Sequence, residues 1–258
     1  MVNSRLALLA SVFRNACLCG GLAAAGLTAC AGSHVGQPSP AGGMLVPGAS
    51  EIAVVHFQGT AQNYRMIAER LPNGDSVYRE LGDMRREYVP MAYKGSPAIL
   101  IIEAQSYAKR SFLDSTLVRR DGLAPVWEIS RLGDRRIRFD YNASRVRREV
   151  TAPDSAALTG ESKYPVPVFS FSELDELIRS VPLRAGYHAI VPLYSEGDNA
   201  LEKDTVLVEG SDGAGNWNVR FADKVIISHY GIDGSTRRIV RYEIDRHADR
   251  ARFRYLPE

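Results

Sequence analysis

The stretch PVWEISRLGDRRIRFDYNASRVRREVT, residues 125–151, decides the fold class. It divides into Pro125–Arg131, Arg135–Tyr141 and Arg145–Thr151, with the turn formers Leu132-Gly133-Asp134 and Asn142-Ala143-Ser144 between them. Short runs rich in β-branched and aromatic residues, broken at such close intervals, describe antiparallel hairpins in a meander. Side chains along a strand alternate between the two faces of the sheet. In the middle run Ile137, Phe139 and Tyr141 share one face, and Arg136, Arg138 and Asp140 share the other. The sheet is therefore expected to have a dry side and a wet side.

The same pattern continues in both directions. Upstream, Ile52–Phe57 (IAVVHF) and Ala98–Ala104 (AILIIEA) read as strands, the second apolar on both faces as in a doubly covered central strand. Gln62–Leu71 reads as a strand leading to the Asn73-Gly74 turn. Downstream, Gly186–Tyr194, Thr205–Glu209, Trp217–Ala222, Val225–Tyr230, Arg237–Ile244 and Ala251–Tyr255 form a second series, with bends at Gly213–Asn216 and Asp233-Gly234. Trp217, Val219 and Phe221 make another apolar face opposite Asn218 and Arg220. One short helix is expected over residues 172–180 (SELDELIRS): Ser172 caps it, Glu173 and Asp175 suit its positive end, and Pro182 stops it. The fold class is mainly β, an antiparallel meander forming a β-sandwich or a partly open β-barrel. About 208 residues from Glu51 onward suit one large β domain or two β sub-domains meeting near 152–165.

The N-terminus has a different character. Arg5 and Arg14 precede Ala16–Ala29 (ACLCGGLAAAGLTA), which is small, apolar and uncharged. A positive segment followed by an apolar one too short to span a bilayer reads as an export signal, so residues 1–29 are excluded from fold reasoning. Residues 31–50 (AGSHVGQPSPAGGMLVPGAS) carry glycine, proline and serine without hydrophobic period or ionic charge, and read as a flexible tether. Removing Arg5 and Arg14 with the signal takes the formal charge from +2 to zero, so nucleic acid is not an expected partner. With no cysteine after Cys30 the folded part has no disulfide and is held by its core alone.

The tetrad Leu27-Thr28-Ala29-Cys30, closing the apolar stretch, resembles a bacterial lipobox. The resemblance implies that Cys30 becomes the first residue of the mature chain and carries acyl chains on its sulfur and its amine. Several chains make a lasting anchor where one would be marginal. In lipoproteins an aspartate after the cysteine favours the inner membrane; here Ala31 follows, which implies an outer-membrane anchor facing the periplasm. Ordinary signal cleavage after Ala25, leaving a free Cys30 thiol, is the alternative. The segment from Phe169 onward, with Val181–Tyr187, Trp217–Phe221 and Thr236–Glu243, is similar to an uncharacterised family of exported, β-rich bacterial domains, as are Leu123–Glu128 and Arg138–Tyr141. That resemblance implies export and a β fold and assigns no catalytic residue.

Candidate chemistry is sparse. Ser106-Tyr107-Ala108-Lys109 matches the Ser-x-x-Lys pattern of serine acyltransferases without its companion motifs. His56, His188 and His229 lack close metal-ligand spacing, and reach Asp140, Asp198, Asp223 or Ser228 only through folding. Asp198, Asp212 and Asp233 read as turn formers in preference to calcium ligands. Arg136, Arg138, Arg145, Arg147, Arg252 and Arg254 lie on wet faces, where guanidinium groups in register would suit phosphate or carboxylate; ion pairing with Asp140, Glu149 and Glu243 is the plainer explanation. No cofactor or metal is expected, and the oligomeric state is left open. Two functional classes follow: a membrane-tethered binding or structural module for a lipid, a peptide, an anionic ligand or an envelope protein, or an envelope hydrolase with a site assembled from distant strands.

Overall fold

The computed structural model describes residues 43–53, 61–70, 77–107, 110–153, 155–195, 200–246 and 251–258. Among the described residues fifteen strands form one mostly antiparallel sheet. The first half comprises β1 (Gln62–Arg70), β2 (Val77–Tyr93), β3 (Ser96–Tyr107), β4 (Arg110–Arg119), β5 (Pro125–Leu132), β6 (Arg135–Asn142), β7 (Arg145–Thr151) and β8 (Leu158–Lys163). A two-residue strand, β9 (Phe169–Ser170), a 3-10 turn (Phe171–Glu173) and helix α1 (Leu174–Ser180) follow. The second half comprises β10 (His188–Ser195), β11 (Ala200–Ser211), β12 (Asn216–Ala222), β13 (Ile226–Asp233), β14 (Ile239–Arg246) and β15 (Ala251–Pro257).

The spatial order is β8 through β1, then β15 back to β9. Each half is a meander, and the halves join where β1 pairs with β15, from Tyr64 opposite Pro257 to Arg70 opposite Ala251. They share one sheet. Its ends do not close, but the sheet rolls until they face each other: Tyr194 of β10 meets Phe139 of β6 edge to face at 5.5 Å. The main core accordingly draws Ile99, Ile101 and Val118 from the first half and Val191, Leu193, Val206 and Phe221 from the second.

Helix α1 lies inside this roll, and every residue from Ser172 to Val181 is buried. The capping box belongs to the 3-10 turn that leads into it and sits two residues earlier than the expected cap. Ser170, not Ser172, is the cap: its hydroxyl accepts from Ser172 N, and Glu173 reaches back to Ser170 N at 2.9 Å. Leu174, Leu177, Ile178 and Val181 pack into the main core.

The expected tether ends sooner than residue 50. Leu45 is fully buried and donates its amide to Ile190 O at 2.8 Å, Gly48 donates to Gly122 O at 2.8 Å, and Ile52 joins the core. The apolar residues Met44, Leu45 and Val46 explain the difference, because they find an unpaired edge of β10 beside the short β9. Ile52 lies in a turn, and residues 54–57 of the strand expected there fall outside the described residues. Ala98–Ala104 belongs to β3, but only Ala98, Ile99, Ile101 and Glu103 are buried, while Leu100 and Ile102 are half-buried.

Candidate functional site

Inward-facing positions of β1 to β5 put a polar row across the sheet. Gln62, Arg86, Glu103, Asp114 and Ser130 stand opposite one another in successive register pairs. The row faces the acidic turn of α1. Arg86, 4 % exposed, holds Asp175 at 2.8 Å, Glu176 at 2.9 Å and Glu103 at 2.9 Å, and also donates to Ser172 O. Burial opposes its charge, but the attraction of Glu176, Asp175 and Glu103 exceeds that opposition and raises its pKa well above the ordinary value. Arg86 is therefore a permanent cation in the interior.

The carboxylates around it outnumber the cations. Burial raises Asp175 and Glu176 above the ordinary carboxylate range, with Arg86 pulling both back down. Glu173 has no cation at contact distance: Oε1 accepts from Ser170 N, Oε2 has no hydrogen-bond partner, and burial raises its pKa well above normal. Carrying a proton is the inexpensive state for such a group, since an unpaired buried charge costs several kcal/mol. Glu128, fully buried on β5, accepts from Ser170 Oγ at 2.5 Å and Ser172 Oγ at 2.6 Å, which ties the start of the helix to the sheet.

The other half of the sheet answers with tyrosines. Tyr255, Tyr242 and Tyr230 stand in register across β15, β14 and β13 and stack at 4.6 Å and 4.4 Å between ring centres. The ladder ends on the helix, where Tyr230 OH donates to Asp175 Oδ1 at 3.2 Å. At the helix C-terminus Arg237 donates to Arg179 O at 3.1 Å and Val181 O at 2.9 Å, while Arg179 Nε donates to Arg237 O at 2.6 Å. A cation on the last carbonyls suits the negative end of a helix. Asp175, Glu176, Glu103, Glu128 and Glu173 are each at most 6 % exposed. The chemistry of this network is internal: it sets where α1 sits inside the rolled sheet.

Sequence reading misses this network. Arg85-Arg86-Glu87 looks like a solvated charge run, but Met84, Arg86 and Tyr88 share a parity, and that parity is the buried face. The surface arginines, by contrast, lie on the outer face as expected, in two groups. Arg136, Arg138, Arg145 and Arg147 are on β6 and β7, while Arg252 and Arg254 are on β15, six strands away from β6 in the sheet order. Arg138 makes a two-pronged contact with Asp140 (2.6 and 2.9 Å) and stands opposite Glu149; Arg147 stands opposite Asp140 and Glu161; Arg145 lies 3.7 Å from Glu161. Arg252 meets Asp245 at 2.7 Å, and Arg254 meets Glu69 at 3.1 Å and Glu243 at 3.7 Å. Arg136 stands opposite Arg131 and Thr151, without a carboxylate in register. The six do not form one surface.

The remaining candidates are dispersed. Ser106 lies on β3 opposite Ser111, in a strand where the Ser-x-x-Lys mechanism needs a helix, and Lys109 lies outside the described residues. His229 is on the outer face, 3.4 Å from Asp245, whereas Ser228 is fully buried on the inner face; the alternation of the strand keeps them apart. His188 is three strands from His229 in the sheet order, and His34, His56 and Asp198 lie outside the described residues. Asp212 and Asp233 are turn formers: Asp212 accepts from Ala214 N and Asn216 N, and Asp233 from Ser235 N and Thr236 N. Among the described residues no group of three His, Cys, Asp or Glu is placed to hold a metal ion. No family model, curated protein or solved structure matches the chain.

Proposed function

We propose that this chain is a lipid-anchored protein of the bacterial envelope, acting as a binding or structural module on the periplasmic side of the outer membrane. The observation that carries the proposal is Leu27-Thr28-Ala29-Cys30 at the end of an uncharged apolar stretch. Acyl chains on Cys30 are its membrane partner; a lipid or an envelope protein is its ligand class; and the fold belongs with exported β-rich bacterial domains.

Two features support a module over a hydrolase. The serine and histidine candidates are divided between faces and distant strands, and the buried charges around Arg86 are spent on α1. Tethering raises a module's effective concentration at the membrane, which gives a non-catalytic part a use there.

Replacing Cys30 by serine tests the anchor. The variant should accumulate as an uncleaved or soluble form without acyl label. Fractionation of Cys30→Ser with membranes at the wild-type level would overturn the proposal.

A further inference from the structure

The longest hairpin carries an apolar tip. β2 is paired with β1 only as far as Arg86 opposite Gln62, and β3 with β4 only as far as Ala98 opposite Arg119. Beyond Arg86, β2 pairs only with β3 among the described strands, while β4 flanks β3 as far as Ala98, opposite Met91; only Ala92–Pro97 runs past both neighbours, at the end of the hairpin. Its sequence, Val89-Pro90-Met91-Ala92-Tyr93-Lys94-Gly95-Ser96-Pro97, has Lys94 as the single charge between Glu87 and Glu103. Every residue of it except Tyr93 is exposed, with Val89 at 36 % and Met91 at 41 % on the same side of the strand. Exposed apolar residues at a protruding tip cost hydration free energy that a water-facing hairpin has no reason to bear.

The surroundings match a lipid surface. Lys94 Nζ and the Arg119 guanidinium each stand 5.4 Å from the Tyr93 ring centre, and Arg119 also donates to Tyr93 O. Cations ringed around a half-buried tyrosine, just behind an apolar tip, fit the headgroup layer of an anionic leaflet.

The anchor enters the fold at this same end. Gly48 is hydrogen-bonded to Gly122 in the turn between β4 and β5, and that turn is bonded to the hairpin base through Arg120 N to Pro97 O, 3.1 Å. Thirteen residue steps separate Cys30 from Gly43, and at no more than about 3.6 Å each they reach at most about 47 Å. The acylated cysteine is therefore held within about 47 Å of Gly43.

We propose that Val89–Pro97 is a second membrane contact, inserting its apolar tip into the leaflet that holds the acyl chains of Cys30, with Lys94 and Arg119 against the phosphates. The inference rests on the lipid-anchor reading and orients the domain on the membrane, leaving the end of β3 and β4 where Ser106 stands opposite Ser111 pointing away. Docking would leave the outer faces of β6, β7 and β15 open to periplasmic partners.

The test uses the full chain, exported, purified and reconstituted in vesicles of phosphatidylethanolamine and phosphatidylglycerol. An environment-sensitive fluorophore is attached at Met91→Cys, at Val89→Cys in a second preparation, and at Ser106→Cys as the control at the opposite end. Both hairpin probes should emit to the blue of the control and be quenched several-fold more by brominated acyl chains. Hairpin probes as aqueous as the Ser106 probe, on protein whose mass shows Cys30 acylated, would overturn the docking and leave the anchor standing. Protein without acylation that floats free of vesicles would overturn both.

Discussion

Replacing Arg86 by methionine removes a cation that touches three acidic side chains at once. Asp175, Glu176 and Glu103 lie 2.8–2.9 Å from its guanidinium, and their exposures of 5 %, 0 % and 6 % leave little water to take its place. Methionine fills most of the same volume, so cavity terms are small and the electrostatic loss dominates. Removing one partner of a buried ion pair costs about 3–5 kcal/mol. For a domain of this size that lowers Tm by roughly 6–20 °C. The sign of the pH dependence follows from the carboxylates. Burial already raises Asp175 and Glu176, so in the folded state they bind protons more readily than in the unfolded chain. Stability associated with that uptake is full below the unfolded carboxylate range and is lost as pH rises through the folded pKa. Without Arg86 the folded pKa values rise further, so the deficit should be largest near neutrality and shrink toward pH 5. Thermal and urea unfolding of both proteins from pH 5 to 8 measures it, and R86M/E176Q should recover part of the loss because one unpaired charge is gone. A Tm for Arg86→Met within about 2 °C of wild type at neutral pH would refute the claim that this network holds the helix.

Other outcomes follow from the same structure. Asp204, buried on β11 with Glu202 and Asp223 nearby, is pushed from 3.8 up to about 8, mainly by burial; its contribution is favourable below about pH 4 and is lost as pH rises to 8. Asp204→Asn should therefore gain on the order of 4 kcal/mol over wild type at pH 7 and nothing at pH 4, and urea midpoints that differ equally at both pH values would contradict this. Tyr230→Phe keeps the stacked ring and loses the hydroxyl bonded to Asp175; about 1–2 kcal/mol of stability should go with it, read by urea unfolding. A methyl group at Gly122, whose φ is +68°, would lie 2.3 Å from Gly48 Cα. Gly122→Ala should release the entering segment, seen as lost hydrogen-exchange protection at Leu45, and unchanged protection there would argue against the contact.

Most of the β architecture is legible in the sequence because alternation and turn chemistry are local. The hairpins of residues 125–151 fall where their turns place them, and the buried residues of β6 and β12 follow parity. β2 and β4 escape a reading by pattern: Val77–Tyr93 mixes charges into a buried row, and Arg110–Arg119 alternates weakly. The joining of β1 to β15 links the two ends of the folded chain, and no local pattern encodes such a pairing. Glu173 and Asp175 read as acids suited to a helix start, which accounts for their charge but not for their burial. What holds Asp175 and the neighbouring Glu176 in the interior is Arg86, ninety residues upstream of Glu176, visible only through the parity it shares with Met84 and Tyr88. Met44 and Leu45 read as part of a tether because two apolar residues make no period, yet an open edge on β10 is enough to bind them.

The proposed lipid anchor on Cys30 underlies both the proposed function and the proposed orientation of the domain. Intact-mass analysis of the mature full chain, purified from membranes and digested to its N-terminal peptide, tests it most directly. The predicted result is a chain beginning at Cys30, heavier by a diacylglyceryl group on sulfur and a fatty acyl group on the amine. A chain beginning at Gly26 with a free Cys30 thiol would contradict it.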